Sequence, residues 1–312
     1  MNISRIKTIS VMVFTIALSS LIAACQGQLY EAPAAEQLKF PNFKGGEGKI
    51  AFAAQSSEDA MFDLYFINAG TGKLYQVTEN PHSDISPDFS RDGMRMVFSS
   101  NRMDTYDIFT INLPSGSPIK LFENSTDESE PRFSPDGTQV AYQSDALGDN
   151  DIFVIPVLGG KPVRLTTEDS QDTQPAWSPD GEKLAFVSDR DGDFEIFTMN
   201  LDGSAVEQLT SNSSYESAPV WSPNGTQLAY LSRRGPHFQL FQTGLVGGVE
   251  KQLTDFDGTV NSPAWSPDGK FIAYILDSTE GSQINIFEIE TGTSYRLSSS
   301  FFKYAGLSWS PE

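Results

Sequence analysis

The chain has 312 residues, 38% hydrophobic and 12% aromatic, which suits one large domain or two smaller ones. Forty-one acidic residues stand against 21 basic, a net charge of −20, and this argues against nucleic acid as a partner, because phosphate neutralisation needs clustered Lys and Arg. One cysteine, Cys25, excludes any intramolecular disulfide.

Arg5 and Lys7 open the chain, and an apolar run follows from Ile9 to Ala24. Basic, then apolar, then small is the layout of a secretory signal. The run of 16 residues falls short of the roughly 20 that a membrane-spanning helix requires, so residues 1–24 read as a cleaved segment. The junction Leu21-Ile22-Ala23-Ala24-Cys25 resembles the bacterial lipobox. That resemblance implies a diacylglyceryl group on the Cys25 thiol and cleavage just before it; an ordinary signal with an incidental cysteine is the alternative. Cleavage would leave 19 basic residues against 41 acidic. Anionic lipid repels such a protein, so the membrane contact falls to the lipid at Cys25. The expected location is the cell envelope, on the periplasmic face of an outer membrane or the outside of a single membrane. Residues 25–40, with Pro33 and no sustained pattern, read as the lipidated cysteine and a tether.

Residues 41–312 are periodic. Aromatic-Ser-Pro-Asp-Gly recurs at Phe133, Trp177, Trp221 (with Asn224 for Asp) and Trp265; Phe89-Ser90-Arg91-Asp92-Gly93 precedes them and Trp309-Ser310-Pro311 closes the chain. Positions 89, 133, 177, 221, 265 and 309 are all 44 apart. Within each period the same four short β patterns appear, as in Pro175-Ala176-Trp177, Lys183 to Val187, Glu195 to Met199 and Val206 to Thr210. Gly- and Asp-rich hairpin turns separate them. Four strands per period of this length is the unit of a β-propeller blade. Six such units start their second strand at Ile50, Met96, Val140, Leu184, Leu228 and Ile272. The first unit lacks its inner strand and the chain ends on a surplus one, so the C-terminal strand at Trp309 is expected to close the ring; Pro41-Asn42-Phe43 is the rival for that place.

The repeat resembles that of TolB-like (WD40-like) propellers, also found in tricorn-type and prolyl oligopeptidase proteases. The resemblance implies an all-β, six-bladed propeller. No Gly-x-Ser-x-Gly elbow of a peptidase domain is present, and the expectation is a stand-alone propeller on a lipid.

A residue type repeated in most blades is best explained by what every blade needs. The Trp and Phe of the signature read as core wedges and its Asp and Gly as turn formers. The column Asp63, Asp107, Asp151, Glu195, Gln239, Asn285 opens each third strand and predicts a repeated hydrogen bond. Asp84, Glu128, Asp172 and Glu216, each five residues before an aromatic, gather with Asp189, Asp191 and Asp193 on one face of the disc. They form either a solvated rim or a cation site, because Ca²⁺ takes six to eight oxygens and Asp189, Asp191, Asp193 and Glu195 offer four carboxylates at alternate positions. The fifth blade breaks the acidic pattern with Arg233, Arg234, His237 and Phe238, either a variable loop or a surface for a carboxylate, a peptide or an acidic sugar. No catalytic set emerges and, Ca²⁺ aside, no cofactor is expected. The first functional expectation is a membrane-tethered scaffold for an envelope protein or peptide. The alternative is an envelope polysaccharide-binding protein or metal-dependent carbohydrate-active enzyme.

Overall fold

The computed structural model describes residues 30–31, 48–123, 125–245, 248–298 and 301–310. The signal, Cys25 and the rival closing segment at Phe43 lie outside the described residues. Every regular element among the described residues is a strand, and the strands form six antiparallel sheets. Blade 4 shows the plan: Asp172–Trp177 innermost, then Lys183–Ser188, Glu195–Asn200 and the short outer Glu207–Gln208. Blades 2, 3, 5 and 6 repeat it. In blade 1 the inner strand is Lys303–Ser310, from the far end of the chain, paired with Lys49–Gln55 so that Trp309 stands opposite Ile50. The ring is closed as the surplus strand predicts. Blade 1 also carries a fifth, outermost strand, Tyr30–Glu31, hydrogen-bonded along Leu74–Gln76; the stretch that looks patternless in sequence contributes to the sheet.

The second strands are buried on both faces because each blade is covered by two neighbours. Ile50 and Phe52 pack with Ala264, Ala273 and Ile275 of blade 6, whereas Ala51 and Ala53 pack with Met96 and Phe98 of blade 2. Side chains alternate across a strand, so one strand serves two inter-blade cores.

Polar bonds reinforce that packing at fixed places. The indole Nε1 of Trp177 donates to Arg132 O at 3.0 Å, that of Trp221 to Ala176 O at 3.0 Å, and that of Trp265 to Val220 O at 3.2 Å. Each tryptophan thus stitches its blade to the one before. Phe133 has no donor there; its backbone N–H instead donates to the Asp88 carboxylate at 2.8 Å. The Ser-Pro-Asp-Gly signature is a turn. In blade 4 Ser178 Oγ donates to Asp180 at 2.6 Å, and Asp180 accepts the Glu182 N–H at 3.0 Å.

The inner strands begin earlier than the sequence pattern suggests. Blade 4 starts at Asp172 rather than Pro175, and its register shifts between Thr173 and Ala176. The cause is a β-bulge with positive φ at one position of all six inner strands: Ser86 (52°), Glu130 (53°), Gln174 (54°), Ala218 (50°), Ser262 (48°) and Gly306 (55°). Five of the six precede a proline, a residue tolerated inside sheets chiefly at bulges because it donates no ladder bond. At the closing position the residue is glycine, and a Cβ on Gly306 would sit 3.0 Å from the Ser86 Cα, closer than the seam accepts without shifting.

Replacing Trp221 by Phe keeps the ring in place and orphans the Ala176 carbonyl. The expected cost is about 1–2 kcal/mol, read as a lowered midpoint in urea with an unchanged slope.

Candidate functional site

Depth separates the acids that the sequence groups together. Asp84, Glu128, Asp172 and Glu216 open the inner strands and are at most 1% exposed. Each faces a serine across the sheet. Asp84 accepts Asn80 Nδ2 at 2.7 Å and receives one Arg102 guanidinium nitrogen at 2.8 and 3.0 Å. Asp172 receives Arg190 in the same way, at 3.0 Å to both oxygens. Glu128 is held by Thr126 and Ser144, and Glu216 by Asn212 and Ser232. These four carboxylates hold the loops between blades and are not presented to a ligand at the rim.

The column opening the third strand makes the expected bond in blades 1, 3 and 5, but not in blade 2, where Phe122 stands at the threonine position and Lys120 pairs with Asp107 at 2.9 Å. A threonine on the outer strand's exit accepts a backbone N–H of the third strand and donates to the column residue, as Thr166 to Asp151 at 3.0 Å and Thr254 to Gln239 at 2.9 Å. Its sixth member is Gln283, opposite Leu276 just as Gln239 is opposite Ser232, and not Asn285, which stands opposite Tyr274. Gln283 also keeps the 44-residue spacing from Gln239, so the sequence already carried that register.

The four carboxylates Asp189, Asp191, Asp193 and Glu195 do not converge. Asp189 accepts the Gln171 N–H at 2.8 Å, Asp191 accepts Gln208 Nε2, and buried Glu195 accepts the Asn212 N–H at 2.6 Å. No group of three or more His, Cys, Asp or Glu placed to hold a metal ion occurs among the described residues.

The basic loop of blade 5 splits into two parts. Arg234 occupies the place of Arg102 and Arg190, 44 residues on. Like them it lies over the third-strand ring, 4.3 Å from the Phe241 centroid, but it turns to Glu250 at 2.6 Å instead of the inner-strand acid. Arg234 is therefore scaffold, and its absence from Glu216 leaves that carboxyl beside Glu195 without a cation. Arg233 is the true departure. Asn101, Asp145 and Asp189 at its position in other blades each accept a backbone N–H of the preceding loop. Arg233 instead lies 5.7 Å from both the Tyr215 and Phe238 ring centroids. Phe194, Tyr215 and Phe238 form an aromatic row, with centroid separations of 4.7 and 5.9 Å, and Tyr215 is 39% exposed. The exposed guanidinium has no carboxylate within ion-pair distance. His237 lies beside it, its Nδ1 3.3 Å from Thr259 Oγ1 and Nε2 3.6 Å from Asp257, in a cleft of 410 Å³ shared with Arg234 and Phe241.

A second concave region lies along the inner strands. Two cavities of 370 and 280 Å³ share Arg132, Val220, Pro263 and Leu307. The charged residues lining them are Asp88, Glu130 and Arg132, all from blades 2 and 3. Arg132 donates to Glu130 at 2.8 Å, and Ser86 Oγ donates to the other Glu130 oxygen at 2.8 Å. Burial pushes the Asp88 carboxyl up to about 6, against the opposing pull of Arg132 and of the Phe133 N–H. The signal was present in the sequence: the residue before each signature aromatic is Asp88, Arg132, Ala176, Val220, Ala264 and Ser308, and only the first two are charged.

Buried carboxyls give this fold a pH dependence of definite sign. Burial, with Asp84 adding repulsion, pushes Asp63 up to about 7; burial and the neighbouring Glu195 raise Glu216. A carboxyl raised above its unfolded value binds its proton more tightly in the folded state. Stability is then fully present below the unfolded value and lost as pH climbs through the folded one. Thermal unfolding should therefore move to higher temperature between pH 8 and pH 5. Asp63→Asn, which keeps the acceptor oxygen, and Glu216→Gln should each flatten that slope, and melts of both variants across the same range check it.

The geometry agrees with known proteins. Residues 170–312 match the model of the TolB beta propeller domain, and residues 103–192 match the Tricorn protease N-terminal beta propeller domain. Among solved structures, TolB from Acinetobacter baumannii superposes with a TM-score of 0.72 at 20% identity, over 85% of this chain and 67% of that one. A putative TolB from Agrobacterium tumefaciens gives 0.67 at 20% identity, over 81% of this chain and 90% of that one. An oligogalacturonate lyase from Vibrio parahaemolyticus gives 0.54 at 13% identity, over 80% and 73%. No curated protein matches by sequence. At these identities the likeness to solved structures carries the fold, and the sequence match to the TolB beta propeller domain is confined to residues 170–312.

Proposed function

We propose that this protein is a lipid-tethered envelope scaffold that recruits a protein or peptide through the loop face of blades 4 and 5. The observation that carries this reading is Arg233, exposed, with no carboxylate within ion-pair distance among the described residues, and 5.7 Å from the ring centroids of both Tyr215 and Phe238. The Ser-Asp turns and buried acids recur from blade to blade as scaffold, but this arginine replaces a residue that caps the loop in three other blades. Stacking fixes the guanidinium while leaving its N–H donors available to a carboxylate. Arginine beside tyrosine and phenylalanine is the composition of interface anchors. The tether rests on the signal-like start and the Leu-Ile-Ala-Ala-Cys junction at Cys25.

Two measurements test the two halves. Crosslinking and affinity capture from native membranes should recover a partner with the wild-type protein and at least about tenfold less with Arg233→Glu, at unchanged thermal stability; equal recovery would sink the docking surface. Metabolic labelling with palmitate should mark the wild-type protein and leave Cys25→Ala unlabelled and released from the membrane fraction. Label on the alanine variant would sink the tether.

A further inference from the structure

We propose that the central channel contains a second, separate site, which takes an organic cation: an alkylammonium group, presented by a lysine side chain of a peptide or by a small free amine. The site lies where the two channel cavities meet. Its charged lining consists of Asp88, Glu130 and Arg132, two negative charges against one positive. Arg132 is committed to Glu130 at 2.8 Å and to the Pro131 carbonyl at 2.9 Å. Asp88 accepts the Phe133 N–H at 2.8 Å, and Arg132 and the Phe89 N–H also favour its charged form. A half-buried carboxylate here stands where blades 4, 5 and 6 have the apolar Ala176, Val220 and Ala264, so the channel wall itself does not require it.

Two further features point to a cation. Ser308 is 7% exposed, lines the same 280 Å³ cavity as Asp88, and its hydroxyl makes no full hydrogen bond, although it lies close enough to favour the charged form of Asp88. A hydroxyl oxygen and a carboxylate together accept the N–H donors of an ammonium group. The remaining wall of that cavity is aromatic and apolar, with Trp177, Trp221, Trp265 and Trp309 around its mouth and Pro135, Pro179, Pro223 and Pro267 between them. Aromatic rings attract cations through their quadrupole, and more strongly where water is excluded. Anions gain nothing here, because the guanidinium of Arg132 is already paired. The volume holds a butylammonium chain and no large folded element.

All four tryptophans of the chain line this cavity, so intrinsic fluorescence reports its occupancy directly. The full-length protein is titrated with n-butylammonium chloride and, separately, with the peptide Ac-Gly-Gly-Lys-Gly-Gly-NH2; n-butanol and the Gln analogue of the peptide are the neutral controls. A saturable change with the charged probes and none with the neutral ones is expected. Response to both charged probes assigns the site to amines in general, and response to the peptide alone assigns it to lysine in a chain. Asp88→Asn keeps the acceptor for the Phe133 N–H and should weaken binding at least tenfold at an unchanged or raised melting temperature. Ser308→Lys places an ammonium group beside Asp88 and should abolish the response. Arg233→Glu should leave it unchanged, so this site and the loop-face docking surface stand or fall separately. Equal response to neutral probes, no response at millimolar concentration, or full binding by both channel variants would overturn the proposal.

Discussion

The second strand of each blade is apolar on both of its faces, and a sheet built on such strands has no stable existence alone. Ile50 and Phe52 need blade 6 while Ala51 and Ala53 need blade 2, and the same division recurs around the disc. Each blade is thus half of two cores, and the cores are complete only when the ring is. That requirement explains why the last eight-residue strand, Lys303–Ser310, belongs to the first sheet. It also explains why the closing contact is made by glycine: Gly306 meets the backbone of Ser86 and Pro87, where a Cβ would require the seam to shift.

Given a closed ring, two kinds of residue are set by the architecture. The tryptophan indoles join blades 4, 5 and 6 each to the one before, and the Ser-Asp turns repeat within the blades that carry the signature. The buried acids act between blades, drawing the connecting loop onto the top of the next inner strand. They are expensive groups to bury, and the fold offsets that cost unevenly. Asp84 and Asp172 each have an arginine lying across two aromatic rings, at 4.6 to 5.4 Å from their centroids. Glu216 has none, because Arg234 is drawn to Glu250 and Tyr230 hydrogen-bonds to the same carboxylate. Among the described residues blade 5 thereby holds, as blade 3 does at Glu128, a buried acid with no arginine upon it, and it has the one arginine at the loop-cap position of blades 2 to 5.

Much of the architecture was legible in the residues because turn chemistry is local. A proline, an aspartate and a glycine at fixed offsets mean the same turn wherever they stand, so blade number, strand count and the closing role of Trp309 followed from spacing alone. Depth is not local. Asp84 and Asp189 look alike in the sequence, and both fall on the same side of the disc, but one is sealed by Arg102 from a neighbouring strand and the other caps a loop. Arg233 and Arg234 likewise are adjacent letters with opposite fates, because the side chain of one meets the flank of Phe241 and that of the other meets the outer aromatic row. The bulge at Gln174 and its counterparts was half legible: a proline in mid-strand marks an irregularity, but only the register shows that all six inner strands share it.

The fifth strand of blade 1 bears on geometry outside the propeller itself. Tyr30 and Glu31 run along Leu74–Gln76 at the outer edge, so the chain is clamped to the rim well before it enters the first blade proper at Lys49. Tyr30 is five steps along the chain from Cys25, and an extended chain spans at most about 3.5 Å per residue. Whatever is joined to Cys25 therefore stays within about 17 Å of one point on the circumference. With the proposed lipid on Cys25, a disc leashed so closely by its edge would behave as a pennant rather than a balloon, turning about blade 1 so that blade 4, diametrically opposite in the ring order, sweeps the widest arc.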